Sequence, residues 1–283
     1  ALRAWLDFDG GVPQALTLDA ALRDVAVQLG AQLEPVALAA LDGRLVAARQ
    51  PGGAVRLALQ DLAFTLPDGA AWEPSRLALQ WHATARPPGA AASAPAAPAS
   101  DALVWLPPLD GGQLTADRLD LPLLATLAER LPIGAGMRAL LRELDPEGTV
   151  RQLDARWEGP IDQPRTWSAK AAVQGLAITA APSPEPGGIG RPGWRGADLQ
   201  IDASHTGGRA DLRLADGQIT LPGVFDEPVV PLTHFGAQLQ WAVAPGATAD
   251  SAPAISLKVL NARFDNADAK GALNASWHTG AGA

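Results

Sequence analysis

Cysteine is absent from the 283 residues, so neither a disulfide framework nor a thiolate metal site can form. Tyrosine is absent as well, and lysine occurs only at Lys170, Lys258 and Lys270. With a net charge of -8 and no basic cluster, the chain lacks the positive patch that nucleic acid or anionic headgroups attract. No run approaches the ~20 uninterrupted apolar residues of a membrane helix, and no signal peptide precedes the first strand pattern. Ala1-Leu2-Arg3 carries no initiator Met, and Thr279-Gly280-Ala281-Gly282-Ala283 follows closely on a strand pattern. We therefore expect a segment of a longer protein.

What is present is apolar–polar alternation with a period of two, the pattern of strands with one face buried. Val25, Val27, Leu29, Ala31 and Leu33 fall on one side. Val55, Leu57 and Leu59 do likewise, after which the phase slips and Leu62, Phe64 and Leu66 carry the apolar face onward. A one-residue slip turns every later side chain over, so a bulge is expected near Asp61. Further on the same pattern appears at Leu77, Leu79, Trp81 and Ala83, and at Leu153, Ala155 and Trp157. It returns at Leu199, Ile201 and Ala203, at Leu212 and Leu214, and at Leu239, Trp241 and Val243. Ile255, Leu257 and Val259, then Leu273, Ala275 and Trp277, complete it. About a dozen strands joined by Gly- and Pro-rich turns imply an antiparallel meander.

One segment has a different period. Leu123, Leu124, Leu127 and Leu131, then Met137, Leu140, Leu141 and Leu144, recur at helical spacing, interrupted by Pro132 and Gly134. This predicts two short helices, 122–131 and 135–144, ended by Asp145-Pro146-Glu147-Gly148 and presenting an apolar stripe to the sheet. Residues 87–100 are Ala, Pro, Gly and Ser alone, the composition of a disordered or extended loop. Residues 182–193 read as a second Pro/Gly-rich loop. The predicted organisation is a strand unit at 1–86, the loop at 87–101 and a strand unit with the helical insertion at 102–283. The two units are expected to form one continuous elongated domain.

Motifs that could carry chemistry are sparse. Gly188-Ile189-Gly190-Arg191-Pro192-Gly193 matches the dinucleotide fingerprint by letters, but no strand leads into it and no helix follows. Asp7-Phe8-Asp9-Gly10 starts like a calcium loop and lacks the later ligands, so a solvated strand and a turn account for it. His82, His205, His234 and His278 are scattered without metal-ligand spacing. Without cysteine or a Gly-x-Ser-x-Gly elbow, no nucleophile stands out. We expect no enzyme, no cofactor and no metal. An alternating pattern does not separate a filled sandwich core from an apolar surface left open, and both readings stand at this level.

The order of motifs across residues 114–241 narrows the choice. Leu119-Asp120-Leu121-Pro122, Arg130-Leu131-Pro132 and Leu144-Asp145-Pro146-Glu147-Gly148 come first. They are followed by Leu153-x-x-x-Trp157-x-Gly159, Trp167-x-Ala169 and Gly175-Leu176. Gly196, Gly207-Gly208, Leu221-Pro222-Gly223-Val224-Phe225, Pro228 and Leu239-x-Trp241 close the series. In that order they resemble the central region of the AsmA-like envelope proteins of the YhdP type, from which residues 87–100 and 182–193 depart as insertions.

The resemblance implies a mainly β protein: a long, strongly curved antiparallel sheet forming an apolar groove, with one short helical insertion around 122–144. It implies a periplasmic segment of a protein anchored in the inner membrane of a Gram-negative bacterium. Such a protein carries phospholipid, as a bridge, between the inner and outer membranes. Its partners would be phospholipid acyl chains and, through the rest of the protein, the two membranes. The groove lining expected on this basis is Leu77, Leu79, Trp81, Leu199, Ile201, Leu212, Leu214, Leu239, Trp241, Ile255 and Leu257, with the helices closing or plugging one side. The alternative is a closed sandwich or barrel that supports outer-membrane assembly without binding lipid.

Overall fold

The computed structural model describes residues 1–30, 32–50, 53–82, 110–131, 133–161, 163–185, 187–245 and 253–279. The loop expected at 87–101 lies outside them, as do Ala31, Ala83, Pro132, Pro186 and the last four residues.

Thirteen strands form one antiparallel sheet in strict chain order. They are β1 (Leu2–Asp9), β2 (Val12–Val27), β3 (Val36–Arg49), β4 (Ala54–Thr65), β5 (Ala71–His82), β6 (Asp110–Asp120) and β7 (Glu147–Pro160). They continue as β8 (Thr166–Ile178), β9 (Gly193–Ser204), β10 (Gly207–Thr220), β11 (Val229–Ala244), β12 (Ala254–Asp265) and β13 (Lys270–His278). β1 and β13 are each paired on one side only, so the sheet is not closed into a barrel. Among the described residues no second sheet faces it, which removes the closed sandwich or barrel. β5 pairs directly with β6, Leu79 opposite Leu114, so the sheet runs unbroken past the long connection between them.

The helical insertion lies between β6 and β7, as the spacing predicts. Helix α1 (Leu121–Leu127) continues as a 3₁₀ turn (Ala128–Arg130), and helix α2 spans Ala135–Leu144. Asp120 caps α1, its carboxylate accepting the Leu123 N–H at 3.0 Å, with Pro122 in the first turn where its missing N–H costs nothing. α2 ends at Asp145 in the left-handed region (φ 44), and Pro146 prevents continuation.

The bulge expected near Asp61 is present: Asp61 has φ 51, and the register with β5 shifts between Leu59 and Leu62. It has counterparts along the sheet at Gln152, Asp216 and Asn261, and at Gly175 and Gly196, all with positive φ and beside a register shift. Bulge N–H groups that lose their ladder partner find a side chain one strand away. Asp117 accepts from Arg76 N–H, Asp198 from Gly175 N–H and Asn274 from Asn261 N–H, at 2.8, 3.0 and 2.7 Å. Each bulge resets the phase so that the apolar residues on both sides of it share a face.

One expected strand is shorter than its alternation. β2 stops at Val27, and Leu29 and Leu33 belong to a turn in which Leu33 N–H donates to Gly30 O and Gln28 Nε2 donates to Leu33 O. Gly30 and Pro35 favour a chain reversal there, and this outweighs the alternating letters.

Two clusters form the core. One joins Val36, Leu38, Leu66 and Trp72 of the sheet region to Leu123 and Leu127 of α1, with Phe64 stacked on Trp72 at 5.5 Å. The other contains Val173, Leu176, Ala197, Leu212, Leu214 and Leu232, all from β8 to β11.

Candidate functional site

Directly opposed residues in neighbouring strands point to the same face, so the register follows a face across the whole sheet. One unbroken row starts at Leu6, Leu16, Ala47, Leu57, Leu79 and Leu114 on β1 to β6. It continues through Ala155, Ala169, Ala203, Gly208, Trp241, Leu257 and Trp277 on β7 to β13. Every member is apolar or glycine. The next row, on the opposite face, reads Thr115, Asp154, Lys170, Asp202, Arg209, Gln240, Lys258 and Ser276 from β6 to β13. One face of the sheet is apolar from edge to edge; the other is polar over β6 to β13, while on β1 to β5 the same row reads Trp5, Thr17, Val46, Ala58 and Ala78.

All eleven residues expected from the sequence fall on the apolar face. Leu79, Trp241 and Leu257 stand in the row just described, with Leu77 and Trp81 as its neighbours along β5. Leu199 opposes Leu212, Ile201 reaches Leu239 through Ala210, and Ile255 opposes Val243. Leu214 lies between Ala197 and Phe235. Their environments differ. Trp81, Leu212 and Leu214 are buried at 1%, 5% and 3% exposure, whereas the other eight are half-buried. Leu16, Leu18 and Leu45 on β2 and β3 belong to the same face and were not among the expected lining. Their signal was present as alternation with Thr17, Asp19 and Arg44.

α1 packs on this face at one end of the strands. Leu41, Phe64 and Trp72 are register partners on β3 to β5, and Phe64 and Leu41 touch the cluster that Leu123 and Leu127 complete. α2 buries no residue, and Met137 and Leu140 remain exposed. Thus only the first helix of the pair covers the apolar face. A recess of about 600 Å³ opens between β1 and β4, lined by Leu6, Leu16, Ala47 and Val55. A larger recess, about 870 Å³, lies instead among Arg213, His234 and Arg263 of β10 to β12.

The fingerprint-like glycines lie in a loop, with Gly190 N–H donating to Pro222 O, and Gly193 opens strand β9 where a phosphate site would need a helix. Asp7 and Asp9 end β1 at the Gly10-Gly11 turn. His205 sits in the β9–β10 turn, with Nδ1 3.4 Å from Trp167 O, while His234 and His278 lie on separate strands. No group of three His, Asp or Glu residues gathers among the described residues. A perturbed carboxylate is found on the polar face: the Arg44 guanidinium, donating to both oxygens of Asp19 at 2.5 and 2.8 Å, holds that carboxyl below its ordinary range.

No helix among the described residues is long and apolar enough to cross a membrane. No curated protein matches the chain, and no solved structure does. The model of one family, YhdP protein, matches residues 1–279, the same stretch that carries all thirteen strands, and the chain belongs to that family.

Proposed function

We propose that the apolar face carries phospholipid acyl chains, and that this chain is a non-catalytic length of a periplasmic bridge moving lipid between the inner and outer membranes. One observation carries the reading: an apolar row that crosses thirteen strands with no second sheet among the described residues to cover it. A sandwich fills such a face with the inner face of its partner sheet.

Burial on a single layer supports the same reading. Ala197 and Leu214 reach 0% and 3% exposure with no second sheet among the described residues and only Leu121 of α1 reaching their cluster, while their polar-face neighbours Asp198 and Arg213 are exposed. A flat sheet leaves both faces open. A sheet that curls toward its apolar side crowds that side and opens the other, and large open sheets with bulges do curl.

The energetics suit carriage without chemistry. A chain of roughly sixteen methylenes at ~0.8 kcal/mol each leaves a bilayer at a cost of ~13 kcal/mol, which an apolar trough removes while the headgroup stays in water. Family membership supports a place in the cell envelope. The decisive experiment is native mass spectrometry of the purified chain: bound phospholipid is expected, and its absence after gentle purification from membranes would overturn the reading.

A further inference from the structure

Seven of the eight tryptophans among the described residues lie on the apolar face, and they are not evenly placed. Trp81, Trp157 and Trp167 form one row, and Trp241 and Trp277 stand in the adjoining one, both at the strand ends farthest from α1. Trp72 and Trp194 sit at the other end, packed against the two core clusters, and the Trp72 N–H is consumed by Ser75 Oγ at 2.7 Å.

Two of the five rings at the far end are given room by glycine. A Cβ at Gly112 would stand 3.0 Å from the Trp157 ring, and one at Gly208 2.5 Å from the Trp241 ring. The missing side chains let each indole lie over the neighbouring strand, as aromatic rings cover strand glycines elsewhere. Trp167 and Trp277 remain 39% and 55% exposed. The indole N–H groups of Trp81 and Trp157 have no acceptor in the protein, and neither has that of Trp194 at the other end; Trp81 itself is buried at 1% exposure.

Indole joins a large apolar body to a single donor, which suits it to a boundary between hydrocarbon and water, as in the aromatic belts of membrane proteins. Trp167 and Trp277 are the exposed rings of this rim, and ester and phosphate oxygens are acceptors that an indole N–H can meet. At the opposite end α1 and the core clusters cover the apolar face, with Trp72 and Trp194 packed against them. The seven residues from Trp241 to Phe235 span ~20 Å along β11, a length comparable with an extended acyl chain.

We infer that the tryptophan rim holds the ester and headgroup region of a bound phospholipid, with its chains directed along the strands toward α1. This rests on the lipid reading above. The absence of cysteine makes the test direct. Single cysteines at Gln163 and Thr206 label the tryptophan rim, and single cysteines at Asp226 and Asp268 label the opposite rim, all at exposed loop positions. Each carries a fluorophore, and quenching is measured with phospholipid bearing a nitroxide on the headgroup or at the chain end.

The headgroup nitroxide is expected to quench the Gln163→Cys and Thr206→Cys labels several-fold more than the other two, and the chain-end nitroxide to reverse that order. Equal quenching at both rims, or the opposite order, overturns the orientation. Absence of quenching at all four sites with both lipids overturns the lipid reading itself. In a second arm, Trp157→Leu with Trp241→Leu should bring the ratio between rims toward one. An unchanged ratio shows that these tryptophans do not set the orientation.

Discussion

The apolar face is finished in two ways along its length. Over β3 to β5 a helix of the same chain closes it, Leu123 and Leu127 completing a cluster with Val36, Leu38, Leu66 and Trp72. Over β8 to β11 the buried residues of the cluster all come from strands, and of the helix only the half-buried Leu121 reaches it. The strand patterns of the two stretches are alike, and yet one is filled by a local insertion while the other depends on the sheet's own shape. The difference teaches that an apolar strand face does not specify its cover. A seven-residue helix, capped by Asp120 and preceded by a strand that delivers it to the right end, decides it.

The largest effect should come from removing that cover. Leu127→Ala leaves a cavity in the helix-closed cluster and should cost about 2–4 kcal/mol, read by denaturant unfolding, with the stretch over β8 to β11 retaining its hydrogen-exchange protection. Equal loss of protection in both stretches would show that they fold as one unit. On α2, by contrast, Met137→Ser should change stability by less than about 0.5 kcal/mol, since its side chain is exposed.

A second break acts on the uncovered stretch. Gly208→Val would place Cβ 2.6 Å from Asp202 O and 2.9 Å from Ala203 Cα, besides striking the Trp241 ring. Strain of about 1–3 kcal/mol is expected from thermal unfolding, with altered tryptophan fluorescence.

Smaller still is the effect that separates lining from core. Leu214→Asp places a carboxylate in a buried cluster and reports on folding, so it does not leave the fold intact. Ile201→Asp lies on a half-buried part of the same face and should keep the melting profile while reducing lipid cross-linking. Normal cross-linking there would remove Ile201 from the lining.

The smallest effect is on the polar face. Asp19 has its carboxyl lowered by Arg44, so the pair's contribution is present above the ordinary aspartate range and is lost as pH falls through the depressed value. Arg44→Gln should therefore slightly reduce stability at neutral pH and leave it unchanged in strong acid, as followed by unfolding across pH. The effect is small because the pair is solvent-exposed.

Much of this was legible beforehand. The phase slip at Asp61 announced a bulge because period-two alternation tolerates no insertion without one. The helical spacing at 123–144 announced both helices within a residue or two. Strand β3 escaped notice, since Val36-Ala37-Leu38-Ala39-Ala40-Leu41 reads as a run in which small alanines blur the alternation. The turn at Gln28 to Pro35 was read as strand because its leucines kept the period past the point where Gly30 reverses the chain. The tryptophan rim was invisible in one dimension, for Trp81 and Trp277 are brought to the same end only by register.

The sequence by itself determined that this is an antiparallel meander with one apolar face and one polar face, because side chains two residues apart must share a side. Tertiary structure alone decided that the apolar faces of thirteen strands join into one row, that no second sheet among the described residues covers it, and that α1 covers only part of it. Those outcomes depend on strand register and on where bulges bend the sheet. Neither is contained in the local spacing of residues.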